Sequence, residues 1–141
     1  MSNSDTQTST DTRSELVDEF LSIVESGRGG DLARLYAPDV VVDRTVPNWR
    51  YSTEGAQASA DEYARWFADE GQLEESRVIP TETGAVVTYL LRWEEDGVPH
   101  AGHHCHVLDI ENGRIVRDTV WCGGRWPADL LAQMEDAANG G

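Results

Sequence analysis

The sequence predicts an α+β fold in which helices cover one face of a curved, mixed or antiparallel sheet and enclose a pocket. Three observations support this fold class. Helical periodicity dominates the first half of the chain and strand patterns dominate the second. Asn112-Gly113 is the dipeptide most typical of a two-residue β-hairpin. The 141 residues contain no internal repeat or linker, which indicates one domain over 12–138 after a disordered tail at 1–11.

The predicted helices all lie before residue 70, apart from a short closing helix. Thr12 and Glu15 have the spacing of a capping box, and a helix that ends at Gly27 follows with one apolar face. A second short helix is expected over 31–36. A capping box at Ser59 and Glu62 opens a third helix. The apolar faces of the first and third helices comprise Leu16, Val17, Phe20, Ile23, Val24, Tyr63, Trp66 and Phe67.

The predicted strands follow from runs of β-branched and aromatic residues. The first covers 40–43 and leads into a long loop that contains Trp49. Later strands are expected over 72–80, 85–93, 100–110 and 115–122, and Pro127 begins the closing helix. On the strand over 85–93, the expected inner set comprises Val87, Tyr89, Leu91 and Trp93. A curved sheet that faces helices leaves a gap at one end, which is a natural place for a pocket.

Composition indicates which classes of molecule the chain can bind. A formal net charge of −15, from 26 acidic residues against 11 Lys and Arg, disfavours binding to nucleic acids and anionic membranes. Two cysteines do not form a disulfide framework, and no apolar run is long enough to span a bilayer, so we expect a cytoplasmic location. Five Trp and four Tyr favour walls around an apolar small molecule as well as an aromatic core.

Two segments carry a resemblance to a known family. SGRGGDLARLYAPDVVVD and HVLDIENGRIVRD resemble parts of the nuclear transport factor 2-like superfamily, which includes ketosteroid isomerase and the SnoaL-like polyketide cyclases. The resemblance covers 13–126 and implies a cone-shaped, cystatin-like α+β roll with a deep pocket. It also implies a homodimer formed through the outer face of the sheet. The superfamily contains isomerases, cyclases, dehydratases, epoxide hydrolases and non-catalytic binders, so the fold does not specify the chemistry.

Position by position, the ketosteroid isomerase apparatus is missing. The resemblance places the general-base carboxylate on Arg44, with Asp43 beside it, and the oxyanion-hole tyrosine on Phe20. It places the oxyanion-hole aspartate on His106 and the acid of the epoxide-hydrolase-like members near Gly123. Histidine and arginine therefore stand where that family uses acids, and they suit other proton-transfer chemistry.

All four histidines lie in one short segment, at positions 100, 103, 104 and 106. If the Asn-Gly turn pairs Glu111 with Arg114, then His106 lies opposite Thr119 and His104 opposite Trp121. One face then carries His104, His106, Leu108, Ile110, Ile115, Arg117, Thr119 and Trp121. By resemblance this face points into the pocket, although a single bulge would exchange the faces.

The leading hypothesis is a cofactor-free enzyme that isomerises, cyclises or dehydrates an apolar, polyketide-like substrate. His106 is the leading acid or base, His104 is its partner, and Arg44 stabilises a developing anion, with Asp43 as a further catalytic candidate. The residues predicted to contact substrate are Phe20, Tyr63, Trp66, Tyr89, Trp93, Arg117, Thr119, Trp121 and Trp49.

Two alternatives stay open. In the first, the chain is a non-catalytic binding or accessory protein. In the second, it is a metal-dependent enzyme that uses the His100–His106 strand. His104 and His106 lack an obvious third ligand, whereas His103, Cys105 and Cys122 are a candidate Cys₂His zinc set on the other face. Asp118 is interpreted as a solvated or interface acid.

Overall fold

The computed structural model describes residues 2–140, with side chains from residue 12 onward. These residues form three α-helices, a short 3₁₀ helix and seven strands. They are α1 (Ser2–Ser26), the 3₁₀ helix (Gly29–Arg34), β1 (Tyr36–Val46), β2 (Trp49–Glu54), α2 (Ala56–Trp66), β3 (Gly71–Pro80), β4 (Gly84–Glu95), β5 (Val98–Glu111), β6 (Arg114–Cys122), β7 (Trp126–Pro127) and α3 (Ala128–Ala138).

The strands form one mixed sheet in the order β2-β1-β6-β5-β4-β3, and β7 pairs with the start of β5. Neighbouring strands are antiparallel except β1 and β6, which are parallel. The sheet is curved and unclosed, with the helices packed against it. The predicted α+β class and its mixed sheet are therefore confirmed.

The core lies between the concave face of the sheet and the apolar sides of α1, α2 and the 3₁₀ helix. The inner set predicted for β4, which comprises Val87, Tyr89, Leu91 and Trp93, faces this core. It packs against Phe20 of α1 and other helix residues that are almost fully buried. Burial of these side chains is the main source of stability, at about 25 cal/mol for each Å² of apolar surface removed from water.

Several predicted boundaries in the first half are wrong. α1 begins upstream of Thr12, so that residue is not an N-cap, and the 3₁₀ helix ends before Tyr36, which is already in β1. α2 begins after Gly55, so Ser59 lies inside the helix and its hydroxyl bonds to Thr53. The side chains of the predicted tail at 1–11 lie outside the described residues.

The loop predicted after β1 is instead a hairpin. β1 and β2 pair antiparallel from Val46–Trp49 outward, and the turn between them is Pro47-Asn48. Asn48 has a φ of 66°, a left-handed conformation that asparagine tolerates better than most residues. The alternating polar residues of β2 hid this strand from the pattern of apolar runs.

The hairpin between β5 and β6 forms at the predicted turn, but its register changes after two pairs. Asn112 and Gly113 have φ values of 52° and 75°, as a type I′ turn requires, and Ile110 pairs with Ile115. Asp109 then pairs with Arg117, so Val116 is an extra residue in a β-bulge.

The bulge reverses the faces expected for the rest of β6. The inner residues are Asp118, Val120 and Cys122, whereas Arg117, Thr119 and Trp121 lie on the outer face. No helix among the described residues 2–140 is long and apolar enough to cross a membrane.

Candidate functional site

A cavity of about 480 Å³ lies on the concave side of the sheet. It lies between the end of α2, the end of β1, the middle of β4 and β5, and the segment after β6. Its walls are mostly apolar, which suits an apolar small molecule. The lining residues are Val46, Pro47, Arg65, Trp66, Phe67, Leu91, Trp93, His104, Cys122, Gly124 and Arg125.

His104 is the histidine that lines this cavity. Only 6% of its surface is exposed, and its ring stacks on Tyr89 with centroids 5.1 Å apart, beside Phe67 and Trp66. Its buried Nδ1 has no hydrogen-bond partner of normal geometry among the described residues, although the nearby Gly102 carbonyl favours the protonated ring.

Burial controls the charge of His104. Loss of water around the ring, with a smaller repulsion from His106, lowers the pKa of His104 from 6.5 to about 3. His104 is therefore a neutral imidazole at neutral pH, and an apolar wall holds it in place. A neutral imidazole in such a setting accepts or donates hydrogen bonds and can take a proton from a bound molecule.

His106 lies on the same face of β5 but deeper, with no exposed surface. Its Nδ1 is 2.9 Å from Asp118 Oδ1, and its Nε2 is 2.9 Å from the Tyr89 hydroxyl. In the neutral tautomer that fits both contacts, Nδ1–H donates to the carboxylate and the tyrosine donates to Nε2. Both nitrogens are occupied, and His106 does not line the cavity.

Asp118 is the centre of a buried hydrogen-bond network. Besides the bond from His106, its Oδ2 accepts hydrogen bonds from the hydroxyls of Tyr36 at 3.0 Å and Tyr63 at 2.9 Å. Burial and the neighbouring carboxylate raise the pKa of both tyrosines well above 10, so the hydroxyls stay protonated and keep donating. The interpretation of Asp118 as a solvated or interface acid is wrong, because the bulge turns it inward.

Arg44 is also fully buried, behind the cavity wall. Its Nη1 donates to Thr53 Oγ1 at 2.6 Å and its Nη2 to the Ser59 carbonyl at 3.0 Å, while Nε has no partner among the described residues. The guanidinium lies 4.3 Å from the centre of the Tyr63 ring and 5.7 Å from that of Trp66. This cation–π packing replaces part of the lost hydration.

Asp43 lies on the opposite face of β1 from Arg44. It forms an ion pair with Arg50 at 2.7 Å, and Arg117 is 3.8 Å away. The hydrogen bonds from Arg50 lower the pKa of Asp43. The structure therefore places this carboxylate away from the cavity and from the histidines.

The residues predicted to contact substrate divide into three groups. Trp66 and Trp93 line the cavity. Phe20, Tyr63 and Tyr89 are buried behind it and support the histidines. The third group does not line the cavity and comprises Trp49, which is 67% exposed, Trp121, which is 47% exposed, Arg117 and Thr119. The bulge places Arg117, Thr119 and Trp121 on the outer face.

Sequence reasoning missed several residues of the site. Cys122 lines the cavity because the bulge turned it inward, and Tyr36 was hidden because its partner Asp118 is 82 residues away. Phe67 and Leu91 belonged to predicted inner faces, so their position was available from periodicity. Arg65 gave no signal in the sequence.

The described part of the chain contains no cluster of side chains suited to a metal ion. No three or more His, Cys, Asp or Glu side chains among those residues are arranged to hold an ion. The Cys₂His set is wrong, since Cys122 lines the inner cavity while His103 and Cys105 point to the outer face. The alternative metal pair was His104 and His106. Both ring nitrogens of His106 already form hydrogen bonds, to Asp118 and Tyr89.

Comparisons with known proteins agree with this fold. The sequence model of one protein family, the SnoaL-like domain, matches residues 17–118 of this chain. No curated protein matches the sequence. A putative isomerase from Bacillus subtilis superposes with a TM-score of 0.66 at 15% identity, over 81% of this chain and 88% of that one.

Two further solved structures are similar over most of their length. An NTF2-like protein of unknown function from Mesorhizobium loti gives a TM-score of 0.61 at 22% identity, over 81% and 93% of the two chains. The epoxide hydrolase/cyclase-like enzyme SalBIII, described in pyran ring formation in the polyether salinomycin, gives 0.66 at 14% identity, over 81% and 92%. At such identities the likeness extends to the fold.

Proposed function

The chain belongs to the SnoaL-like family of the NTF2-like superfamily, and we propose that it is a cofactor-free enzyme that moves a proton on an apolar small molecule. The substrate is cyclic or polyketide-like, and the reaction is an isomerisation, cyclisation or dehydration. Similar structures that are described as a putative isomerase and an epoxide hydrolase/cyclase-like enzyme support this range. The homodimer implied by the superfamily is part of the same proposal, and sedimentation equilibrium would test it.

The observation that carries the proposal is the neutral ring of His104 in the wall of an apolar cavity. Of the two histidines proposed for catalysis, His104 is the one that a bound molecule can touch, so we assign it the role of base. His106 takes the role of a positioning residue. Its ring lies 6.3 Å from that of His104, and Tyr89 stacks on both rings.

The buried charges define what the site offers a reacting molecule. Proton removal from a ligand leaves an anion in the cavity and a cation on His104, and the enclosed walls strengthen the attraction between them. Arg44 acts on this anion through its field from behind Trp66, since it does not line the cavity. Asp43 is outside the proposal because it lies on the other face of β1.

A generic proton-transfer probe tests the role of His104 before the substrate is known. In the ring-opening of a nitrobenzisoxazole, a base takes the proton from carbon while the N–O bond breaks, which yields one coloured product, a nitrophenolate that carries a nitrile group. We expect the wild-type protein to accelerate this release and His104→Gln to lose the acceleration. His103→Gln removes an exposed histidine one residue away and is the matched control.

Two outcomes would contradict the role of His104 as a base. In one, the wild-type protein does not accelerate the reaction; in the other, the His104→Gln variant keeps the acceleration within about twofold. A positioned base contributes about a hundredfold or more. Circular dichroism and thermal unfolding of each variant confirm that the comparison is between folded proteins.

A second candidate function is non-catalytic ligand binding. The observation in its favour is the lowered pKa of His104, because a pKa of about 3 makes the imidazole a weak base in the empty cavity. Mass and NMR spectra of a ligand recovered after incubation with the protein separate the two functions. A binder releases a captured ligand at its original mass and structure, whereas the proposed enzyme returns an isomer or a dehydrated product.

A further inference from the structure

Two arginines interrupt the apolar lining of the cavity, and the arrangement of charge around them points to the chemistry of the ligand. Arg65 is in the last turn of α2, and Arg125 follows β6. Their side chains are 84% and 63% exposed, whereas His104 in the same lining is almost fully buried. The cationic groups therefore lie where the cavity meets solvent, and the neutral imidazole lies inside.

This charge distribution is opposite to that of the protein as a whole. Asp and Glu make up 26 of the 141 residues, against 11 Lys and Arg. Among the described residues that line the cavity, however, two are Arg and none is acidic. A ligand that carries a negative charge is repelled by most of this surface and finds positive charge at the mouth of the cavity.

Each arginine pairs with one glutamate but keeps N–H donors that its neighbours do not use. Arg65 is 3.6 Å from Glu62, and that carboxylate also accepts a hydrogen bond from Tyr51. Arg125 pairs with Glu95, which also accepts a hydrogen bond from Trp93 Nε1. Each guanidinium has five N–H donors, so donors remain for an added carboxylate.

The aromatic wall continues to the mouth. The Arg125 guanidinium lies 5.8 Å from the centre of the Trp93 ring, and Trp93 lines the cavity together with Trp66. A ligand ring against Trp93 thus brings a substituent on its outer end close to Arg125. Guanidinium groups bind carboxylates well because their planar N–H pairs match the two oxygens.

We propose that the cavity binds an apolar, ring-containing carboxylate, with the ring inside against Trp66 and Trp93 and the carboxylate at Arg65 and Arg125. This inference deepens the proposed function and rests on it for the identification of the cavity as the substrate site. It narrows the ligand from an apolar molecule to an organic acid whose charged end stays at the solvent boundary.

Equilibrium dialysis with naphthoate and naphthamide tests the proposal, because the two probes share ring and shape and differ in charge. Wild-type protein should bind naphthoate about fivefold more tightly than naphthamide, since each exposed ion pair contributes little and two act together. Added salt should reduce this preference, because it screens exposed charges. The double variant Arg65→Gln/Arg125→Gln should bind both probes equally.

The double variant Arg34→Gln/Arg77→Gln is the matched control for charge. Arg34 and Arg77 are exposed and do not line the cavity, and their substitution removes two positive charges, as the Arg65→Gln/Arg125→Gln variant does. The control variant should keep the preference for naphthoate. Absence of binding by both probes, equal or tighter binding of naphthamide to the wild type, or a preference that survives in the Arg65→Gln/Arg125→Gln variant would overturn the proposal. The nitrobenzisoxazole assay reads His104 separately, so failure of one proposal is distinguishable from failure of the other.

Discussion

Acidification should destabilise the folded protein through His104 in particular. The pKa of this group is about 3 in the folded chain and 6.5 when the ring is fully solvated. Between these pH values the unfolded chain holds a proton on His104 that the folded chain lacks. Stability therefore decreases as pH falls from 6.5 towards 3, and His104 makes no pH-dependent contribution above 6.5.

The size of the effect follows from the width of that window. One pH unit corresponds to about 1.4 kcal/mol, so at pH 5 His104 should lower the free energy of unfolding by about 2 kcal/mol. This is a measurable part of the total, since domains of this size unfold with about 5 to 15 kcal/mol. Urea denaturation at pH 8, 6.5 and 5 gives the required values.

Matched variants separate His104 from the many acidic groups that also titrate. His104→Gln should show a decrease between pH 8 and pH 5 that is smaller than the wild-type decrease by about 2 kcal/mol. His103→Gln, which changes an exposed ring, should behave like the wild type. If wild type and His104→Gln lose the same stability over this range, the imidazole is not held neutral by burial and the reasoning is refuted.

Two further predictions concern the groups around His104. Asp118→Ala should lower the free energy of unfolding by about 3 to 5 kcal/mol in urea denaturation, because it leaves the buried donors of Tyr36, Tyr63 and His106 without their acceptor. Asp118→Asn should cost less and move the His106 proton from Nδ1 to Nε2, which ¹⁵N NMR detects; a proton that stays on Nδ1 contradicts the assigned tautomer. Cys122→Phe should weaken naphthoate binding about tenfold or more and change stability by less than about 1.5 kcal/mol, because the ring enters open cavity volume; unchanged dialysis affinity would place the probe elsewhere.

Local chemistry was sufficient to predict most of the sheet. The turn at Asn112-Gly113, the inner faces of β4 and β5 and the closing helix after Pro127 all depend on neighbours within a few residues. Turn type and side-chain alternation act over that range, so they can be read from the chain. The resemblance of two segments to a known superfamily supplied the pocket and the overall shape.

Errors arose where a local pattern had two solutions. β2 was taken for a loop because its residues are polar and half-exposed. The predicted register of β6 had no bulge at Val116. The extra residue there turns every later side chain of the strand to the opposite face. Nothing in the segment IVRDTVWC distinguishes an inward Asp118 from an inward Arg117.

The sequence by itself determined that a strand with closely spaced histidines runs antiparallel to its neighbours and faces an aromatic-rich interior. Only the tertiary structure decided which histidine meets the cavity and which is bound beneath it. The physical reason is the range of the interactions. Asp118 is tolerated inside because Tyr36 and Tyr63, 82 and 55 residues away, donate to it, and these distant donors make burial of the carboxylate favourable.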